Sequence, residues 1–384
     1  MIDGPRPIRS EEIPQMEKLV NACFVPNAGR MFARWPHIFN AEDPGRNSLV
    51  IAMDGKVVSH TACIPQILKA GRNKIPIIGV SSVATFPEYR GHGLMGKLLD
   101  ASNEKIRSSG AVLTYLWGDR IRYGRYGWES SGQEWFFTVT PKSLPPVEGK
   151  NAASIKRFEG AREDVGRIAA VYDKHPYGMV RSPADHERIL NREGWDTWLT
   201  TDKQGHTAYM TLALGQTNPK EARVWEFDGV PDSLLLDLLR HVFKFYSLEK
   251  LEIPSPFHHP ANGLFFSISS AYIVQAKFMF GILNLSALLK AFLPEISRKS
   301  EGFKGKITLN MRDVGQKATL LFKGSKVVLE DKPSAGGISL SMRETTRLLF
   351  GPGSPSNHFN LGKHKEILDQ LFPLDFHVWL NNAV

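Results

Sequence analysis

Cysteine is scarce in this chain and forms no pattern. Two cysteines in 384 residues, Cys23 and Cys63, supply neither a disulfide framework nor a metal-ligand spacing, so a disulfide scaffold is excluded, no metal is expected and a reducing cytoplasm fits. Long apolar runs are also missing. None reaches the roughly 20 residues that a membrane helix needs, and the opening "MIDGPRPIRSEE" lacks a signal peptide's apolar core. No basic run concentrates the net charge of +9, so anionic ligands are favoured but a nucleic-acid partner is not expected. Two phosphate loops are absent as well. Gly96-Lys97 is followed by Leu98, leaving no hydroxyl to hold magnesium as a Walker loop does. Gly91, Gly93 and Gly96 have dinucleotide-loop spacing, but no acidic residue ends a second strand at the required distance.

What is present is a well-packed globular composition. Hydrophobic residues make up 42% and tryptophans number eight, and the length calls for two or three domains. The most informative stretch is "IIGVSSVATFPEYRGHGLMGKLL", residues 77–99. It reads as an apolar strand that stops at Pro87, turns through Arg90-Gly91-His92-Gly93, and opens directly into a helix at Leu94. Bare N–H groups at a helix N-terminus, together with the helix dipole, bind phosphate. Around it, "RPIRSEEIPQMEKLVNACF" predicts a strand and a helix with an apolar stripe of Ile13, Met16, Leu19, Val20 and Cys23. Asp54-Gly55 predicts a hairpin turn between two β-branched runs. "AVLTYLWG" predicts a buried strand after the loop helix. A second motif, Tyr123-Gly124-Arg125-Tyr126-Gly127-Trp128, predicts a helical turn followed by an aromatic strand.

The phrase "VATFPEYRGHGLMGKLL" resembles the Arg/Gln-x-x-Gly-x-Gly/Ala loop of the GNAT acyltransferases, and in particular their Eis-like (enhanced intracellular survival) branch, where the last small position is often apolar, as Met95 is here. The resemblance implies a GNAT fold whose strands splay beside the loop helix, and acetyl-CoA as co-substrate. In such a slot the backbone of Ser82, Val83, Ala84 and Thr85 would pair with the pantetheine arm. Amides of Arg90, Gly91, His92, Gly93, Leu94 and Met95 would hold the pyrophosphate, and Gly118 and Asp119 would touch the cofactor again. Tyr-x-x-x-Gly-Phe in the family corresponds to Tyr123 through Trp128, which implies Tyr123 as the general acid. A phenol near pKa 10 stays protonated beside a thiol near 8.5; Tyr126 reads as a packing residue. The family's base is its terminal carboxylate, here that of Val384. The apolar ending "LFPLDFHVWLNNAV" suits burial, and His377 and Asp375 are alternatives. Phe24 and Trp35 are candidates to line an acceptor pocket, and core packing explains them equally.

The resemblance extends along the chain as an α+β / α/β arrangement of tandem GNAT folds and a sterol-carrier-protein-like α+β domain: a catalytic unit over 1–145, a degenerate second GNAT unit over 150–280, and the C-terminal domain over 281–384. "PKSLPPVEGKN", 141–151, reads as a linker. The second unit's loop, Gly229-Val230-Pro231-Asp232-Ser233, has no Arg-x-x-Gly, and Pro231 removes an amide, so no coenzyme A is expected there. The implied activity is N-acetylation of a primary amine, on an aminoglycoside- or polyamine-like small molecule or on lysine, by a hexamer. The competing class is a non-catalytic or lipid-carrying protein that keeps the shape.

Overall fold

The computed structural model describes residues 1–24, 30–39, 43–146, 154–324 and 326–384. Residues 147–151, the end of the expected linker, lie outside them.

Three sheets organise the chain. In the first, the strands Ile2–Pro7, Ser48–Met53, Lys56–Ala70, Asn73–Thr85 and Leu113–Leu116 lie side by side in that order. The long hairpin turns at Asp54-Gly55, where both residues take positive φ, as a tight turn of this type requires. Helix Ile13–Phe24 buries Met16, Leu19 and Val20. Its preceding turn is fixed by Glu12, which accepts from the Arg9 amide at 2.9 Å and pairs with Arg6 at 2.7 Å. Asn73–Thr85 and Leu113–Leu116 are parallel and joined by the helix Leu94–Ser108, the crossover that parallel strands need.

The sheet does not end with the first third of the chain. The strand Phe278–Ile282 inserts beside Leu113–Leu116 and then pairs with Glu129–Ser131. Tyr177–Met179 pairs with Leu68–Ala70 at the other end. The second sheet takes Glu134–Val139 from the first third and places it between Lys250–Pro256 and Ser269–Gln275. The remaining strands of that sheet are Ser154–Arg157, Asp196–Thr201, Thr207–Leu214 and Glu221–Gly229. Glu221–Gly229 and Lys250–Pro256 repeat the parallel pairing, around helix Asp232–Phe245. The third sheet has four strands, 304–311, 316–323, 326–329 and 338–340, with helix Leu285–Lys299 burying Leu288, Leu289, Phe292 and Ile296 against it. Among the described residues no helix is long and apolar enough to cross a membrane.

The last residues of the chain bind the three layers together. Val378, Leu380 and Ala383 join the apolar cluster shared by the first and third sheets, whereas Trp379 joins that of the second sheet. Val384 then packs onto Gly79. A Cβ at Gly79 would fall 2.2 Å from Val384 Cγ2 and 2.9 Å from Tyr115 Cε1, so only glycine admits the tail there. Gly79→Ala is expected to lose about 1–3 kcal/mol of stability, as overpacking does. Denaturant unfolding checks this, and adding Val384→Gly to the same chain should recover part of the loss, since the contact with Tyr115 remains.

Candidate active site

The site begins where two parallel strands part. Ile77, Ile78 and Gly79 pair with Leu113, Thr114 and Tyr115, and beyond Gly79 the outer edge of the first strand opens. A bulge contributes: His60 opposes Ala84 but Ala62 opposes Ser81, and Ser82 adopts a positive φ of 51°. Extra residues of this kind bend a strand and increase its twist. His60 holds the bulge, with Nδ1 2.9 Å from the Ser82 carbonyl and Nε2 2.9 Å from Ser48 Oγ.

The loop that follows has the expected form. Pro87–Tyr89 makes one 3-10 turn, and Gly91 and Gly93 take φ of +83° and +71°, which glycine adopts without strain. Gly93 sits at the N-cap of the helix, with no side chain covering its first amides. Those N–H groups open into a cleft of about 730 Å³. Its walls include Val83, Ala84 and Thr85 from the splayed strand, Arg90, Gly91, Gly93, Leu94 and Met95 from the loop, and Asp119 opposite. Arg90 Nε donates to the Thr85 carbonyl at 3.2 Å, which fixes the side chain at the mouth. Arg122 and Arg125 line the facing wall. Among the described residues none of these three arginines has a carboxylate partner, so the mouth is cationic. The sequence reading passed over Arg122 and Arg125, although "RIRYGR" carried the signal.

Five residues expected to touch the cofactor or to catalyse, Ser82, His92, Gly118, Tyr123 and Val384, do not line this cleft. Ser82 is turned into the bulge, its hydroxyl 3.0 Å from that of Ser81. His92 is exposed, its Nδ1 facing the carbonyls of Tyr89 and Arg90 at 3.2 and 3.0 Å. Gly118 lies under the ring of Tyr123, where a Cβ would fall 2.3 Å from Cε2. Tyr123 sits on the helix Arg120–Gly124, which Asp119 caps by accepting from the Arg122 amide at 2.7 Å. Its ring meets Trp128 edge-on at 6.5 Å, and burial pushes its phenol above the ordinary value. Tyr126, read as a packing residue, lines the cleft, and its hydroxyl lies 3.0 Å from where a Cβ on Gly96 would stand.

Beneath the tyrosine helix, buried Glu129 accepts from Arg343 at 2.6 Å and Arg347 at 2.7 Å and pairs with Arg120. Burial raises its carboxyl, but the three guanidiniums outweigh that and hold it below the ordinary range. The tail approaches from the other side. Tyr115 Oη donates to the Asn382 carbonyl at 2.9 Å, and His37 Nε2 lies 2.9 Å from the Ala383 carbonyl.

Phe24 borders both the cleft and a second cavity of about 500 Å³. Trp35 lines this cavity too, joined by Trp117, Trp195 and Trp225. Phe24 and Trp35 are therefore brought together. The other tryptophans come from distant segments and carried no local signal. In the second unit the donor atoms of His175, Asp228 and His259 lie within 4.8 Å of one another. However, the Ala261 amide donates to His259 Nδ1 at 3.1 Å, which keeps the proton on Nε2 and leaves that nitrogen no lone pair for a metal.

The buried histidines make stability depend on acidity. Burial pushes both His60 and His175 down to about 4, against roughly 6.5 unfolded. The unfolded chain therefore binds protons first as pH falls. Stability is complete above about pH 6.5 and declines toward pH 4, on the order of 2–3 kcal/mol for each of these residues. Urea midpoints at pH 7.5 and 4.5 measure the loss.

Residues 5–131 match the family described as Acetyltransferase (GNAT) domain. No curated protein matches by sequence. Solved structures share the fold over almost the whole chain. A conserved protein of unknown function from Enterococcus faecalis V583, described as a probable N-acyltransferase, has 17% identity and a TM-score of 0.72 over 99% of this chain and 98% of its own. A GCN5-related N-acetyltransferase from Anabaena variabilis has 17% identity and 0.70 over 97% and 96%. Eis1 from Mycobacterium abscessus has 12% identity and 0.68 over 100% of both chains. The splayed strands, the uncapped glycine loop and the helix behind it thus lie in the stretch, residues 5–131, that matches the GNAT acetyltransferase domain, in a chain that folds along its length as these structures do.

Proposed function

We propose that the chain is an acetyl-CoA-dependent N-acetyltransferase of the Eis-like kind, acting on a primary amine of a small molecule or of lysine. The observation that carries this reading is the coincidence of three features in one cleft. Strands part after Gly79, bare amides follow at Gly93–Met95, and Arg90, Arg122 and Arg125 face them. The open edge of Val83–Thr85 suits the pantetheine amides. The loop amides suit the pyrophosphate, and the facing arginines suit the remaining phosphate. The amine enters from the tryptophan-lined cavity beside Phe24.

In the reaction the amine nitrogen bonds to the thioester carbonyl carbon and the C–S bond breaks. The departing thiolate takes a proton from the phenol of Tyr123, and the nitrogen loses one to the terminal carboxylate of Val384. A raised phenol pKa suits the first role, because the proton stays in place until charge develops beside it. A second assignment, Tyr126 as the acid, is favoured by one fact: Tyr126 lines the cleft. The same reading gives 1–145 the catalysis and 150–280 a supporting wall without the phosphate loop. It gives 281–384, a sterol-carrier-protein-like unit, the task of bringing the tail home. Its apolar face is filled by helix Leu285–Lys299, which argues for a scaffold over a lipid carrier.

Calorimetry with acetyl-CoA tests the central claim: the parent chain should bind and Gly93→Asp should not. A parent chain that fails to bind removes the reading. Tyr123→Phe is expected to lower kcat by about 10²–10⁴-fold while acetyl-CoA affinity holds. If Tyr126→Phe carries that loss instead, the acid is reassigned. Extending the chain beyond Val384 should cut turnover with cofactor binding intact, and full activity in the extended chain would dismiss the carboxylate.

A further inference from the structure

The electrostatics of the tryptophan-lined cavity identify a class of acceptor, on the reading that this cavity receives the amine. Each of its four indoles already has a cation of the protein against it. The Arg192 guanidinium lies 3.8 Å from the ring centre of Trp195, 4.4 Å from that of Trp35 and 5.1 Å from that of Trp225. Arg34 lies 5.0 Å from Trp195, and the Lys277 ammonium 4.0 Å from Trp117. Aromatic cages hold cationic ligands through the negative faces of their rings. Here that attraction is already engaged, and a ligand cation would meet like charge across each ring.

The carboxylates on the wall do not redress this. Glu221 pairs with Lys250 at 2.7 Å, and Glu252 with Arg223 at 2.6 Å. By contrast, among the described residues Arg34, Arg192 and Lys277 have no carboxylate partner. Arg192 is 2% exposed. Its Nε donates to the Arg34 carbonyl at 3.1 Å and its Nη1 to the Asn381 carbonyl at 3.5 Å. Among the described residues its Nη2 has no partner, and neither does the indole N–H of Trp195, itself 8% exposed. A buried guanidinium without a counter-charge is destabilising, and burial together with Arg34 disfavours its charged form. Arg34 is thus an unpaired cation on the cavity wall, and Arg192 lies buried behind the rings with its own charge uncompensated, so the wall favours an acceptor with negative charge.

We propose that the acceptor is an aromatic amino carboxylate: a flat apolar body between the tryptophans, a carboxylate drawn to Arg34 with the charge of Arg192 behind the rings, and an amine directed past Phe24 into the cleft. The polycationic acceptors that the sequence resemblance implies do not suit this wall.

Intrinsic tryptophan fluorescence reads binding without turnover, because half of the eight tryptophans line the cavity. The full chain, with coenzyme A present, is titrated with 3-phenylpropionate, phenethylammonium and spermidine. The carboxylate should bind about tenfold more tightly than either cation, and Arg34→Gln should remove most of that preference while acetyl-CoA affinity is unchanged. Arg192→Gln, accepted only if its thermal unfolding stays cooperative, should do the same. In a thiol-release assay phenylalanine should exceed phenethylamine and spermidine by about tenfold in kcat/KM. Equal or tighter binding of the cations, or an Arg34→Gln chain with unaltered preference, overturns the proposal. Acetyl-CoA binding combined with a preference for the cations sinks this inference alone, whereas failure to bind acetyl-CoA sinks the reading beneath it.

Discussion

Asn382 is the point on which the assembly turns. Its backbone carbonyl accepts from Tyr115 Oη in the first sheet, while its side-chain oxygen accepts from Arg181 at 2.6 Å and Tyr172 at 3.2 Å in the second unit. Arg181 is itself locked to Glu226 with both side chains essentially inaccessible, and Tyr209 donates to the same carboxylate at 2.9 Å. A buried ion pair is a weak source of stability, but removing one partner strands a charge, typically at 3–5 kcal/mol. The network therefore acts less as glue than as an address: it specifies where the tail must lie. Once Asn382 is seated, Trp379 fills the space against Phe227 at 5.4 Å, and Val384 packs onto Gly79.

The two parallel crossovers share a geometry but differ in their loops. In both, the strands pair over three residues and then diverge. In the first unit the divergence is left open and the loop beyond it presents free amides. In the second, Pro231 occupies the corresponding turn and lacks an N–H, and the rings of His259 and Trp379 pack on Phe227. Geometry alone does not make a nucleotide site; the chemistry of the loop decides.

That chemistry was legible in the sequence because it is local. Gly91 and Gly93 announce positive φ, and their place before an apolar helix announces bare amides. The fate of the tail could also be read, since an apolar ending is disfavoured in water. What could not be read is whatever depends on pairing between distant segments. Phe278–Ile282 is an apolar run like many others, and nothing in it says that it will enter the first sheet. Glu134–Val139 crosses to the second sheet for the same reason. The tryptophan cavity gathers Trp35, Trp117, Trp195 and Trp225 from across the chain, and each alone reads as core. Tyr126 packs against the core as its sequence suggested and also lines the cleft, which its glycine-rich setting does not reveal.

Glu129 has a broader meaning. Arg343 and Arg347 descend from the helix Met342–Phe350, which touches no part of the cleft, and meet this carboxylate beneath the tyrosine helix. Arg343 also presses on Gly124, where a Cβ would fall 2.8 Å from its guanidinium carbon. The helix Met342–Phe350 thus braces the tyrosine helix from behind. On the proposed mechanism, loosening that helix would leave the cofactor cleft whole yet shift the tyrosine helix above Glu129, so acyl transfer would fail while donor binding survives.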